Sequence, residues 1–148
     1  MTINWVLKKF DQLSPAELYA IMQLRNEVFV VEQDCVYQDA DNKDQHSYHY
    51  MGWGNDLLIA YTRILPPGLS YIEPSIGRVV TSPSARGNGL GRELMERSIT
   101  QALHLFGDQS IRIGAQLYLV GFYTSLGFQQ TGDPYDEDGI KHVEMVKS

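Results

Sequence analysis

A chain of 148 residues, 43% of them hydrophobic, can bury a sizeable core and is read as one domain spanning residues 1–148. A formal net charge of -6 argues against general nucleic-acid binding. No apolar run of about 18 residues occurs, residues 1–10 lack an apolar leader core, and the single Cys35 excludes an internal disulfide framework. The expectation is a soluble, cytoplasmic protein with no membrane partner.

Residues 2–10 alternate, with Ile3, Trp5 and Leu7 on one face, and predict a strand. Ser14-Pro15-Ala16-Glu17 is a helix start: Ser14 can cap, Pro15 suits the first helical position and Glu17 closes a capping box. Leu18, Ile21, Met22, Val28 and Phe29 follow at helical spacing, and the helix is expected to end near Glu32 and Gln33. Arg25 falls on that same apolar face. Residues 34–47 carry Asp39, Asp41 and Asp44 and little apolar content, which predicts a solvated acidic loop.

Strands are predicted over residues 48–53 and 57–65, joined at Gly54-Asn55-Asp56, a hairpin signal. Pro66-Pro67-Gly68 ends the second, and residues 76–81 form the next strand. Leu90, Leu94, Met95, Ser98, Ile99, Ala102 and Phe106 then trace a long helix, stopped at Gly107-Asp108. A strand at 111–116, a short helix at 117–126, a strand at 128–131, a turn-rich loop at 133–139 and a last strand at 140–146 complete the chain. As a sheet edge, that last strand could pair two chains into a homodimer.

The order β-α-β-β-β-α-β-α-β-β places the chain in the α/β (α+β) class: a mixed central sheet of about seven strands flanked by helices. Hairpins imply antiparallel pairing early, and the later β-α-β crossover implies one parallel pair.

Arg86, Gly87, Asn88, Gly89, Leu90 and Gly91 lie between a strand and the long helix. Glycines at every second position leave backbone N–H groups unscreened, and a helix N-terminus adds about half a positive charge. This combination suits a pyrophosphate; glycines serving only tight packing are the alternative. A P-loop is excluded because Gly91 is followed by Arg92-Glu93. A dinucleotide fold is excluded by the Gly-x-Gly-x-Gly spacing and by the lack of an acid in residues 111–116.

Arg-x-x-Gly-x-Gly after a strand, then a long helix, a strand and Phe122-Tyr123-x-x-x-Gly127-Phe128, resembles the GNAT superfamily of acyl-CoA-dependent N-acyltransferases. The resemblance covers nearly the whole chain. Val28-Phe29-Val30-Val31-Glu32-Gln33, Tyr37-x-Asp39-x-Asp41, His49-x-x-Gly52-Trp53, Gly114-Ala115-Gln116 and Glu137-Asp138-Gly139-Ile140-x-His142 are similar to its ElaA-like branch.

The resemblance implies acetyl-CoA as the donor substrate. Main chain at Val79, Val80 and Thr81 would face its acyl and pantetheine part. Arg86 to Gly91, with Arg92, would cradle the pyrophosphate, and Phe122 would belong to the same donor site. Gln116 stands where the family often has Asn, one carbon longer. Tyr123 would reach the sulfur, and its ordinary pKa of ~10 keeps it protonated as an acid for the leaving thiolate; a core aromatic is the alternative. An amine would attack the thioester directly, in a ternary complex without a covalent intermediate.

His142 alternates with Glu144 onto one face of the last strand and is a candidate base; His49 is a second, and a water held by either or by Glu32 a third. Cys35 is no acyl carrier in so acidic a loop. Arg25, Arg63 and Arg78 lie within apolar patterns and either bind an acceptor carboxylate or pair internally with Glu32 or the acidic loop. That loop could instead attract a cationic amine. Its Asp-x-Asp-x-x-Asp spacing, with His46 and His49, lacks the glycine and terminal glutamate of a calcium loop, so no metal is expected. The function expected is transfer of an acetyl group to a primary amine. The alternatives are an acyl-CoA sensor without turnover and a chain that kept only the fold.

Overall fold

The structure, a computed structural model, describes residues 2–148, and among these the chain forms eight strands and three α-helices. The strands are β1 (Ile3–Lys9), β2 (Tyr48–Gly54), β3 (Leu57–Leu65), β4 (Ser75–Thr81), β5 (Ile111–Gln116), β6 (Phe128–Gln130), β7 (Tyr135–Glu137) and β8 (Ile140–Lys147). The helices are α1 (Pro15–Arg25), α2 (Leu90–Phe106) and α3 (Val120–Ser125). The eighth strand, β7, lies within the segment expected as a loop.

Local chemistry sets these boundaries. Ser14 Oγ accepts from the Glu17 amide at 3.1 Å while Glu17 Oε1 accepts from the Ser14 amide at 2.8 Å, a closed capping box at the start of α1. The helical path does run to Glu32, as expected, but beyond Arg25 it widens into a π-helical segment, Asn26–Glu32. Gln33 N–H donates to Val28 C=O at 3.1 Å, five residues back, and Cys35 N–H to Val30 C=O at 3.1 Å. Asn55 and Asp56 both hold positive φ, 51° and 64°, the pairing a two-residue turn needs to join β2 to β3.

Strands β1 to β4 form one antiparallel sheet, and β8 pairs β5 on one side and β6 and β7 on the other. β8 is therefore central rather than an edge, which removes it as a route to a homodimer. β4 and β5 begin side by side, where Arg112 N–H donates to Pro74 C=O at 3.1 Å. Beyond that point the described residues form no ladder between them, so the sheet splits in two. The expected continuous central sheet is thus divided at its β4–β5 seam.

Two cores hold the layers. Leu94, Met95, Ile99 and Ala102 of α2 pack with Ile64, Ile113, Phe128 and Met145 on one face. Ile21, Leu24 and Val28 pack against Met51, Tyr61 and Val80 on the other. Truncating a fully buried residue such as Leu94 to alanine costs about 2–5 kcal/mol in such cores.

Candidate active site

The gap between β4 and β5 opens into a cleft of about 930 Å³. Three elements shape one end of it. β4 carries a bulge: Val80 pairs Tyr61 and Gly77 pairs Arg63, so Arg78 and Val79 oppose the single Thr62. Arg78 has φ 49°, a strained angle for a side chain of this size. The bulge interrupts the ladder where Val79 and Val80 border the cleft.

The glycine loop comes next. Gly87 and Gly89 hold φ of 105° and 74°, which glycine alone adopts freely. A Cβ built at Gly87, Gly89 or Gly91 would meet nothing within 4 Å, so tight packing does not explain the three glycines. Gly89 caps α2 without any side-chain hydrogen bond, which leaves the first-turn N–H groups of the helix free for an anion. Arg86 and Gly91 border the cleft, whereas Leu90 is buried in the core and Asn88 is exposed. Arg86 forms a two-armed bond to Glu32, at 2.7 and 2.8 Å. Arg92 turns outward and binds Ser125 Oγ at 2.8 Å, tying α2 to α3.

The third element is α3. Tyr123 is only 6% exposed and borders the cleft, yet its hydroxyl has no hydrogen-bond partner among the described residues. Phe122 and Phe128 meet its ring edge-on, at 5.1 and 6.0 Å. Burial pushes the phenol up to about 12, so it stays protonated at neutral pH. Phe122, Thr81 and Gln116 border the same cleft. The Gln116 and Gln33 amides face one another at 3.4 Å.

The other end of the cleft is made of side chains. His142 pairs Gln116 across the β5–β8 ladder. A carbonyl only accepts, so the 2.8 Å contact of His142 Nδ1 with Ile140 C=O places the proton on Nδ1 in the neutral ring. Nε2 then carries the lone pair, 3.5 Å from Glu137 Oε2. His49 is not here. It is fully buried, with Nε2 donating to Asp44 C=O at 2.9 Å and Nδ1 accepting from Tyr61 OH at 2.7 Å. Burial lowers its pKa, and both nitrogens are in use, so His49 is a core residue and not a base.

The acidic loop is not solvated either. Arg25, Arg63 and Arg78 bind Asp39, Asp41 and Asp44 in a closed network. Arg25 Nε meets Asp39 Oδ2 at 2.7 Å and Nη1 meets Asp44 Oδ1 at 2.7 Å. Arg63 holds Asp41 with two arms, at 2.7 and 2.8 Å, and Asp44 at 2.9 Å. Arg78 Nε lies 2.8 Å from Asp39 Oδ1, close but not aligned for a hydrogen bond, and Nη2 donates to Asp39 C=O at 3.0 Å. Burial alone would raise Asp41, but its bonds to Arg63 and the surrounding charge hold it well below the usual carboxylate range. The network clamps the strained Arg78 and so fixes the bulge. Cys35 is buried, and its Sγ lies 3.1 Å from Asp138 C=O, joining this loop to the β7–β8 turn.

A bulged main chain, an uncapped glycine-rich helix start and the unpartnered Tyr123 phenol lie around one cleft. A family model for an acetyltransferase (GNAT) domain matches residues 10–148. The chain belongs to the GNAT acetyltransferase family. Within it, the chain is 42% identical over 147 residues to protein ElaA of Escherichia coli, covering 98% of this chain and 96% of ElaA. The ElaA crystal structure superposes with a TM-score of 0.93, covering 99% of this chain and all (100%) of that one. The crystal structure of an acyl-CoA N-acyltransferase from Pseudomonas aeruginosa superposes at 0.95, with 42% identity and 99% and 100% of the two chains covered. A UPF0039 protein of Synechocystis is 44% identical over 99% of this chain and 96% of its own. The ElaA-like placement is thereby established, and with it membership among acyltransferases.

Sequence reasoning did not single out Tyr71, Tyr135 and the Arg86–Glu32 bond. Asp138-Gly139 is itself a two-residue hairpin signal, with φ of 51° and 81°, and would have revealed β7 and its Tyr135. Nothing local marks the other two.

Proposed function

We propose that this protein transfers the acetyl group of acetyl-CoA to a primary amine by direct attack in a ternary complex. The observation that carries the reading is Tyr123: a residue only 6% exposed whose hydroxyl has no hydrogen-bond partner among the described residues, on the wall of the cleft that also holds the glycine loop. A core tyrosine of that burial would ordinarily satisfy its hydroxyl.

The residues present fit the donor substrate. Free N–H groups at the start of α2 and Arg86 suit the pyrophosphate, and the bulged strand at Val79 and Val80 offers main-chain groups to the pantetheine amides and the thioester carbonyl. His142 Nε2 takes a proton from the substrate ammonium, and Glu137 stabilises the imidazolium so formed. The N–C bond then forms as the C–S bond breaks. Tyr123 gives its proton to the departing sulfur, and the phenolate is reprotonated by the second proton that leaves the nitrogen. An ammonium and a thioester become an amide and a thiol, with one proton released.

Tyr123→Phe tests the reading. Turnover of an acetyl-accepting amine is expected to fall on the order of 10²-fold while acetyl-CoA affinity, read by calorimetry, stays within about twofold. Unchanged turnover removes Tyr123 from the acid role. Acetyl-CoA binding with no turnover by the wild-type chain over a broad amine panel would favour a sensor.

A further inference from the structure

Substrate charge is written into the tyrosine end of the cleft. The three arginines that could have held an acceptor carboxylate are consumed: Arg25, Arg63 and Arg78 face an equal number of aspartates, Asp39, Asp41 and Asp44. Arg112 on β5 is spoken for as well, 3.1 Å from both Glu73 and Glu144. Lys43 stands at the exposed rim, bonded to Ser70 Oγ at 2.8 Å. Outside the arginine–aspartate network, Glu137 and Asp138 outnumber Lys43 on the wall of this end, and beyond that wall Arg112 is shared between Glu73 and Glu144.

Geometry adds a receptor to that charge. Register puts Gly114 opposite Glu144, and Tyr135 opposite His142, on the cleft face of the second half-sheet. Tyr135 and Tyr71 bring their hydroxyls together above Gly114. A Cβ there would lie 3.0 and 3.2 Å from the two oxygens, so any side chain at this position would press the hydroxyls outward by a few tenths of an ångström. Tyr135 also stacks on His142 at 6.0 Å. Burial first, then Tyr135, Glu144 and Glu137, push Tyr71 up to about 12, so the pair stays neutral and presents oxygens to a cation. The Glu137–Asp138 turn is pinned over the cleft by the contact of Cys35 Sγ with Asp138 C=O, 3.1 Å.

We propose that the acceptor is an alkylamine bearing a second ammonium, whose distal charge sits between Glu137 and the Tyr71–Tyr135 hydroxyls while its other amine reaches His142. The inference rests on the acetyl-transfer reading for the reacting end, but its charge preference is measurable without transfer.

The test uses three probes with one four-carbon skeleton: 1,4-diaminobutane, 1-aminobutane and 4-aminobutanoate. Each is titrated by calorimetry into the full chain saturated with CoA, and each is assayed with acetyl-CoA. The diamine should bind on the order of tenfold tighter than the monoamine, and the amino acid weakest of the three. Glu137→Gln should bring the diamine-to-monoamine ratio close to one, in affinity and in kcat/KM alike. Gly114→Ala, which pushes the phenols apart, should lower the same ratio. The proposal falls if 4-aminobutanoate binds as well as the diamine, if no probe binds the CoA complex at millimolar levels, or if Glu137→Gln leaves the ratio in place. Diamine-selective binding with no acetyl product would keep the charge assignment and overturn the transfer reading instead.

Discussion

The two ends of the cleft are built from different materials. At the glycine-loop end the working groups are main chain apart from the Tyr123 phenol: the free amides opening α2, the bulge at Arg78 and Val79, and space left open above three glycines. The side-chain bond there, Arg86 to Glu32, is exposed on both partners, 41% each, and is worth little to stability. At the tyrosine end every group is a side chain, and the scaffold behind it is a buried network of three arginines and three aspartates. The exposed Arg86–Glu32 bond can therefore be altered with small effects on folding, while the buried network cannot.

Arg25→Ala should give the largest effect. Arg25 is fully buried, and its loss leaves Asp44 and Asp39 short of a partner in the interior. Breaking such a pair costs about 3–5 kcal/mol, so denaturant unfolding should show a stability loss of that size. A loss under about 1 kcal/mol would mean that the network does not support the fold. Gly91→Ala gives the opposite pattern. The position is helical and its Cβ would meet nothing within 4 Å, so stability should rise by up to about 1 kcal/mol. Acetyl-CoA affinity should fall severalfold, because the added methyl occupies the anion's approach. Stability and affinity rising together would break the comparison.

The smallest expected effect is one of pH. Burial would raise Asp44, but its bonds to Arg25 and Arg63 hold it below the usual range, as Asp41 is held. Groups whose pKa is depressed by folding stabilise above their unfolded value, near 4, and lose that contribution as pH falls toward the folded one. Thermal midpoints should thus be level at neutral pH and decline below about pH 4. Asp41→Asn should make that acid slope shallower.

The same contrast explains what could be read from the chain alone. The glycine loop, the bounds of α2 and the capping box at Ser14 are short-range patterns, and all are visible within a few residues. Tyr123 is singled out by the resemblance, through Phe122-Tyr123-x-x-x-Gly127-Phe128; its own helix marks it equally as a core aromatic. The π-helical segment Asn26–Glu32 carries no sequence mark of its own, and it is this extra width that ends the helix with Glu32 against Arg86. His49 looked reactive only because strand alternation does not say which face is interior. Pairing of Arg25, Arg63 and Arg78 with the acidic loop is one of the two readings of those arginines, and it holds; that the loop is buried by it is not legible, because the partners lie up to 39 residues apart, as Arg78 does from Asp39.

The division of the sheet has a mechanical consequence. β4 and β5 each present an edge with unpaired main-chain groups, normally an invitation to aggregation. Here the two edges face each other across the cleft and are joined at the Pro74–Arg112 end. Amide hydrogen exchange should find them out: protection along β4 beyond the bulge should fall below that of β2 and β8, which are paired on both sides.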